Sequence, residues 1–454
     1  MPLKGILNIK SPHVKKYLTN TSWIFWDYVL RQGFNIFIGI YVARYLKPEG
    51  FGSLSYASVY IQLLQPLAYI GLSSIIIRDL IKYKDKSNEI LGTAFVFKLI
   101  ASIVSLLIIA CIAWSLNISL SGKWNIVVAS ISLLVSPLQI IDLYFQANVK
   151  AKYIAYAQQT STILVGALKF FGVIMCFPLI WFVCMIVIEA VITSLMLAFF
   201  YKANKQEIKK WRFDKQVAQT FLKELLPFVF SGFFIVLYMK IDQLMIYSML
   251  DATSLGIYTA AVKLCEPFYL IASLICSSLF PAIINGLLIS REEYEHRLQR
   301  LFNMLTWLAI FVSLGIQLFA NTIIQIIYGT TFAGAEVVLQ IYFWASVFVF
   351  QGVIASQAYA AEKIQVYSTF YTFIGAIVNI ALNLWLIPLI GVKGAAFATL
   401  ISYVISGVLL NVMFKQTRFV FKQQAYAYIA IFTKPKSLLS AFYASKNNTR
   451  KIPS

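Results

Sequence analysis

The sequence predicts an all-α polytopic membrane protein, with 12 transmembrane helices in two six-helix lobes related as a parallel repeat. Three observations carry that prediction. The chain has 454 residues, of which 60% are hydrophobic and 12% are charged, about half the roughly 25% charge of a soluble domain. Apolar runs long enough to cross a bilayer, about 20 residues each, recur along the chain. The basic residues alternate in density from loop to loop, as the cytoplasmic preference of Lys and Arg requires.

The runs fall at 20–43, 52–77, 90–116, 124–146, 153–177, 179–201, 225–249, 254–285, 301–327, 337–360, 364–387 and 394–414. Several exceed the minimum, which accommodates tilt or kinks. Strands of a membrane barrel would alternate in polarity over about ten residues. The stretch Leu99 to Trp114 is instead apolar all round, apart from Ser102 and Ser105. The first run carries Asp27 and Arg31 and no small-residue cleavage site follows it, so it reads as a span and not as a signal peptide.

Charge orients these runs. With the N-terminus cytoplasmic, 29 of the 38 Lys and Arg residues lie in inner segments, 4 in outer loops and 5 inside spans. An even span number follows, with both termini cytoplasmic. The net charge of +20 is therefore mostly an orientation signal, and no nucleic-acid partner is expected. The domain plan is an N-terminal cytoplasmic or interfacial segment 1–19, an N-lobe 20–201, a basic cytoplasmic linker 202–224, a C-lobe 225–414 and a basic cytoplasmic tail 415–454. The linker reads as solvated, each basic residue near anionic lipid contributing about 1 kcal/mol. Within the tail, Phe419 to Phe432 reads as an amphipathic helix lying in the membrane interface.

Faint self-similarity supports two halves. Leu63-Leu64-Gln65-Pro66 resembles Leu264-Cys265-Glu266-Pro267, and Pro178-Leu179-Ile180 recurs as Pro388-Leu389-Ile390. Six spans per half is an even number, so both halves enter from one side, as in transporters whose halves rock about an axis along the membrane normal.

Much chemistry is missing. No phosphate-cradling G-x-x-x-x-G-K-[ST] loop exists; Gly391-Val392-Lys393-Gly394 lacks its spacing. His13 and His296 are isolated, so neither a metal site nor a catalytic residue is expected. Cys111, Cys176, Cys184, Cys265 and Cys276 fall inside spans without a C-x-x-C pair and read as small apolar packing residues. The outer loops are too short to hold an acceptor, which argues against an enzyme and for a carrier.

Charge inside the membrane is the strongest functional signal, because each such group costs at least about 2.5–3.5 kcal/mol at the bilayer centre. The basic candidates for a substrate site are Arg31, Lys98, Lys169, Lys240 and Lys263. The acidic candidates for ion coupling or pairing are Asp27, Asp142, Glu189, Asp242 and Glu266. Asp27 and Arg31, four apart, share a helical face, as do Lys263 and Glu266, three apart. Lys240 and Asp242 point to different faces. Pro267 frees the Lys263 carbonyl. Lys98 and Lys169 have no acid on their own helical face, so cross-helix pairing with Asp142 and Glu189 is expected. Each pair reads equally as a structural ion pair or as part of an anion site built on charge-assisted hydrogen bonds. Tyr and Trp near span ends read as interface belts.

The N-terminal part resembles a known family. Asn20-Thr21-Ser22-Trp23 opens the first span. Ala43-Arg44-Tyr45-Leu46-Lys47-Pro48-Glu49-Gly50-Phe51-Gly52 follows, then Gly71-Leu72 and Arg78-Asp79. These strings are similar to the "N-x-x-W", "A-R-x-L-x-P-x-x-[FY]-G", "G-L" and "R-[DE]" pattern of the Wzx-type O-antigen flippases. Lys47 stands where many relatives have glycine. Gln146-Ala147, Lys152-Tyr153-Ile154 and Gly256-Ile257-Tyr258-Thr259-Ala260-Ala261 are also similar to that family. The resemblance implies a fold like the multidrug (MATE) exporters, two six-helix lobes in a V about a cationic cavity. It implies that undecaprenyl-diphosphate-linked oligosaccharide is flipped from the cytoplasmic to the periplasmic leaflet of a bacterial inner membrane, beside polysaccharide-assembly membrane proteins. No cofactor is expected beyond a coupling H+ or Na+. The rivals are a MATE-like small-molecule or drug cation antiporter, which needs an acidic cavity, and a membrane glycosyltransferase or polymerase, which the short outer loops disfavour.

Overall fold

A computed structural model describes residues 12–69 and 72–433. Among the described residues the regular structure is helical throughout, without strands. The chain divides into two compact units, which meet in sequence at Leu237 and Tyr238.

The first unit contains α1 (Pro12–Tyr69), α2 (Leu72–Lys82), α3 (Ser87–Ser115), α4 (Leu120–Ser130), α5 (Ser132–Val135), α6 (Ile140–Ala147), α7 (Ala151–Ile174), α8 (Leu179–Ala203) and the first part of α9 (Lys215–Met249). The second contains the rest of α9, then α10 (Ala252–Ile284), α11 (Arg291–Ile327), α12 (Ala335–Ala361), α13 (Val366–Ile390), α14 (Val392–Gly407) and α15 (Arg418–Thr433). Nine helical stretches among the described residues are long and apolar enough to cross a membrane. Each coincides with an expected span. The other three expected spans fall on α1, α2 and α7.

The helices are built for lipid. On α3 the side chains of Ile100, Ile103, Val104, Leu107 and Trp114 are exposed, while Lys98, Ser102, Ser105 and Ala113 are buried. The 3.6-residue period is that of any amphipathic helix, but the polar stripe points inward. In water this would be inside out; in a bilayer the apolar stripe meets solvent of its own kind and the polar one packs within the protein. The sequence offered this as two serines in an otherwise apolar run.

The expected fourth span is not one helix. It breaks into α4, α5, a 3-10 turn Ser136–Gln139 and α6. Pro137 has no N–H to give, and the hydroxyls of Ser130, Ser132 and Ser136 donate to the carbonyls of Ile126, Ala129 and Leu133. Those bonds satisfy backbone groups that the break would leave bare at membrane depth. Tight turns separate the helices of the second unit, with Asp251 capping α10 through Ser254 N–H and Ser290 capping α11 through Glu293 N–H. The Gly391-Val392-Lys393-Gly394 string forms such a turn. Gly391 has φ +64°, and a Cβ on Gly394 would lie 2.2 Å from the Leu386 carbonyl oxygen.

Three expectations change. The linker is not simply a solvated tether. Its Arg212 N–H donates to the Asn88 carbonyl and its Asp214 N–H to Thr93 Oγ1, both at the start of α3. Trp211 donates to the Tyr201 hydroxyl. Gly92 lets the strand approach, since a Cβ there would meet Arg212 at 2.4 Å. Nor does Phe419 to Phe432 lie free in an interface. It forms most of α15 and packs against α11 and α12, with Val420 and Ala427 in the core of the second unit. Gln299 and Gln351 donate to the carbonyls of Gln423 and Gln424, and Trp307 donates to that of Ala427. Helical periodicity located the amphipathic face but not its partner. Residues 434–454 of the expected tail, and 1–11 of the expected N-terminal segment, lie outside the described residues. Finally, Cys111 and Cys176 are exposed, and Cys176 lies in the α7–α8 turn rather than in a packed span.

Lys47 sits at a kink within α1, with φ 57° and ψ 176°. That backbone region is essentially glycine's, and another residue there costs on the order of 1–3 kcal/mol. The substitution Lys47→Gly is therefore expected to raise the thermal unfolding midpoint of the purified protein. An unchanged or lower midpoint counts against strain at this turn.

Candidate functional site

The first unit brings four of the intramembrane charges together. Asp27 and Arg31 form an ion pair at 3.6 Å on α1, and Gln159 of α7 bonds to Asp27. Lys98, on the inward stripe of α3, is 2% exposed. Asp142, on α6 after the helix break, lies within electrostatic reach of Lys98 and then of Arg31 and Asp27. Gln146 donates to its Oδ1 at 3.0 Å. The cross-helix partner expected for Lys98 is thus Asp142, and the break in the fourth span is what presents it. Beside Lys98, the hydroxyls of Ser102 and Ser105 are buried with no acceptor among the described residues. Lys169 of α7 and Glu189 of α8 pair at 3.5 Å, both partly exposed.

In the second unit Lys240 donates to Glu266 at 2.9 Å, from α9 to α10. The sequence placed Glu266 with Lys263 on one helical face. The carboxylate reaches across to α9 for that bond, and Lys263 is exposed. Asp242, two residues from Lys240 and on another face, is 3% exposed. Its carboxylate accepts from the phenols of Tyr258 and Tyr342, and from the Gln243 N–H at 2.8 Å.

That carboxylate begins a polar chain the sequence did not reveal. Tyr258 bonds to Thr399 of α14. Thr399 Oγ1 accepts from Asn379, and Asn379 Oδ1 accepts from Asn383 at 3.0 Å. Asn383 Oδ1 is buried without a donor among the described residues. One carboxylate, two phenols, a hydroxyl and two amides therefore connect five helices in one interior. The usable signal was Asn379 and Asn383, four apart on one face of an apolar run, where intramembrane polar groups mark function. Tyr258 and Tyr342 gave no such signal, because tyrosine near span ends is ordinarily an interface residue.

Every intramembrane acid is thus held by a cation or by hydrogen-bond donors. Breaking a buried pair by removing one partner costs about 3–5 kcal/mol, whereas the intact pair adds little net stability. Ten such groups are poorly explained by stability. Charge held inside lipid-facing helices marks an intramembrane functional site, as in a membrane transport protein.

Comparisons with known proteins agree with that class. The family profile described as polysaccharide biosynthesis protein matches residues 17–287, and the profile described as lipid II flippase MurJ matches residues 162–446. Each profile covers more than half of the chain, so the chain belongs to the polysaccharide biosynthesis protein family and matches the lipid II flippase MurJ family as well. As such it is a flippase or transporter and not an enzyme. No curated protein sequence matches significantly.

Solved structures share the fold. Lipid II flippase MurJ in an inward closed conformation is 17% identical with TM-score 0.67, covering 91% of this chain and 92% of that one. A multidrug resistance MATE family transporter in its inward-facing conformation is 14% identical with TM-score 0.66, covering 89% and 96%. A MOP superfamily transporter from Pyrococcus furiosus is 14% identical with TM-score 0.59, covering 95% and 98%.

Proposed function

We propose that this protein flips an undecaprenyl-diphosphate-linked oligosaccharide, an O-antigen unit or a similar surface-polysaccharide repeat, from the cytoplasmic to the periplasmic leaflet of a bacterial inner membrane. The observation that carries this reading is Lys98, buried in the first unit with Asp27 and within electrostatic reach of the partly exposed Asp142, itself near Arg31. A diphosphate needs cations removed from water, where charge-assisted hydrogen bonds are strong. A polyprenyl tail needs no protein site, since it stays in lipid. Helices with apolar outer faces and a cationic interior suit a cargo with both parts. The match to a lipid II flippase profile supports a lipid-linked glycan as cargo. The N-terminus and the most basic loops then face the cytoplasm.

The cations are not idle before cargo arrives, because each has a carboxylate near it. Cargo binding is then an exchange of partners. Protonation of Asp142, or capture of a cation by it, weakens its hold on Lys98 and leaves that ammonium for the diphosphate. This arrangement supports a reading of alternating access coupled to an ion, H+ or Na+. Asp242 is the second group suited to it, being a buried carboxylate whose partners are neutral phenols. The test is flipping of a fluorescently tagged undecaprenyl-diphosphate glycan by the reconstituted protein. Imposed proton or sodium gradients are expected to change its rate. Indifference to both gradients removes the coupling and leaves passive flipping.

The drug-antiporter reading has the MATE-type fold in its favour. The balance of buried charge does not favour it. In the first unit three intramembrane acids are matched by three basic residues, so that unit lacks the acidic interior that organic cations require.

A further inference from the structure

The two most basic inner loops of the first unit meet in the fold, and no part of the transport reading uses the place where they meet. The segments 78–89 and 202–224 carry eleven Lys and Arg residues against six Asp and Glu. The docking of Arg212 and Asp214 on the start of α3 brings the second segment beside the first. Between them opens a cleft of about 530 Å³.

Its charged lining is uneven in a telling way. Two of its three acids, Asp79 and Glu224, are paired with Arg78. Asp79 accepts from Arg78 Nε at 2.8 Å, and both Glu224 oxygens accept from the Arg78 terminal nitrogens at 2.9 and 3.2 Å. Asp214 spends one oxygen on the Val217 N–H at the start of α9. The lysines are not occupied by acids. Lys82 stands over the Tyr83 ring at 4.9 Å, and neither Lys82 nor Lys86 has a carboxylate in ion-pair range among the described residues. Arg78 has five N–H groups and uses three of them here, so two remain for a ligand. The surrounding excess of basic residues adds an attractive field within a Debye length, about 8–10 Å at ordinary salt.

We propose that this cleft is an anion site for a phosphate or diphosphate group, held by Lys82, Lys86 and the remaining N–H groups of Arg78. Guanidinium and ammonium donors converge on it from α2 and the loop after it, and α9 closes the other side. The phosphate is carried by a lipid of the adjoining leaflet or is free in solution, and the site does not depend on what the protein transports.

The test is the thermal unfolding midpoint of the full chain in neutral detergent at fixed ionic strength. Short-chain phosphatidylglycerol, short-chain phosphatidylcholine and inorganic pyrophosphate are titrated separately. Phosphatidylglycerol, pyrophosphate or both are expected to raise the midpoint saturably, and phosphatidylcholine is not. A response to the lipid alone assigns the site to a headgroup; an equal response to pyrophosphate assigns it to free phosphate. The double variant K82Q/K86Q, both exposed positions, is expected to unfold at the unmodified midpoint without ligand. It needs at least ten-fold more anion for half the shift, roughly five-fold per lysine removed. K415Q/K422Q loses the same charge elsewhere and is expected to keep the response. The proposal is overturned if no anion shifts the unmodified protein, if phosphatidylcholine works equally, if K82Q/K86Q responds normally, or if both double variants lose the response alike.

Discussion

Replacing Lys98 with Met is expected to abolish most surface glycan, by at least about ten-fold, in cells that depend on this protein. The side chain is 2% exposed, so its ammonium has only the protein interior and the cargo to interact with. The single variant removes the nearest cation from Asp142 and leaves it only Arg31 among cations within reach, and breaking a buried pair costs up to about 3–5 kcal/mol. Loss of activity alone would therefore not separate binding from folding. The double variant Lys98→Met/Asp142→Leu makes the separation. Removing both charges together is often neutral for stability, so the protein's amount and unfolding midpoint are expected to return toward those of the unmodified chain. If Lys98 meets the diphosphate, flipping stays lost in that double variant. Recovery of flipping with recovery of stability would reduce Lys98 to half of a structural ion pair. Lys169 is expected to matter less. Its pair with Glu189 is partly exposed at 3.5 Å, where screening leaves about 0–1 kcal/mol.

This site was partly legible in the sequence, and the legible part has a physical signature. A Lys, Asp or Arg in an apolar run of 20 residues stands out whatever the fold, so Lys98, Asp142 and Asp242 could be named from position alone. Helical spacing decided intrahelical pairs such as Asp27 and Arg31, because three or four residues fix a face. It could not show that Glu266 meets Lys240 on the next helix, because that contact depends on packing. Tyr258, Tyr342 and Thr399 were invisible for a related reason. Their residue types are common throughout such chains, and only tertiary contact with Asp242 makes them exceptional. The fold was more legible than the site, since span length and charge placement are set by the bilayer itself. The exceptions are local: Ser130–Gln139, where serine hydroxyls sustain a broken helix, and α15, whose buried glutamines look like solvated ones until α11 and α12 are in place.

Asp242→Asn is expected to uncouple the protein from the ion gradient while leaving it folded. An asparagine carbonyl still accepts from Tyr258 and Tyr342, so the hydrogen bonds that hold α9, α10 and α12 together survive in kind. What disappears is the capacity to alternate between a charged and a neutralised state. A buried carboxylate hydrogen-bonded only to phenols and an amide, with Lys240 within electrostatic reach but paired to Glu266, is costly when charged; a captured proton or metal cation relieves that cost. Coupling free energies between sites are typically 1–3 kcal/mol, or about 5–150-fold in affinity. The gradient-driven part of the flipping rate should fall by a factor in that range, and the gradient-free rate should change little. Tyr258→Phe removes one donor but keeps the carboxylate, so it should shift the ion concentration for half-maximal flipping without abolishing the dependence. Thr399→Val breaks the chain toward Asn379 and should do the same more weakly. If Asp242→Asn flips cargo with the full gradient dependence of the unmodified protein, the coupling ion is not handled at Asp242. The next candidate for it is then the Asp142 carboxylate near Lys98, where cargo and ion would compete for the same group.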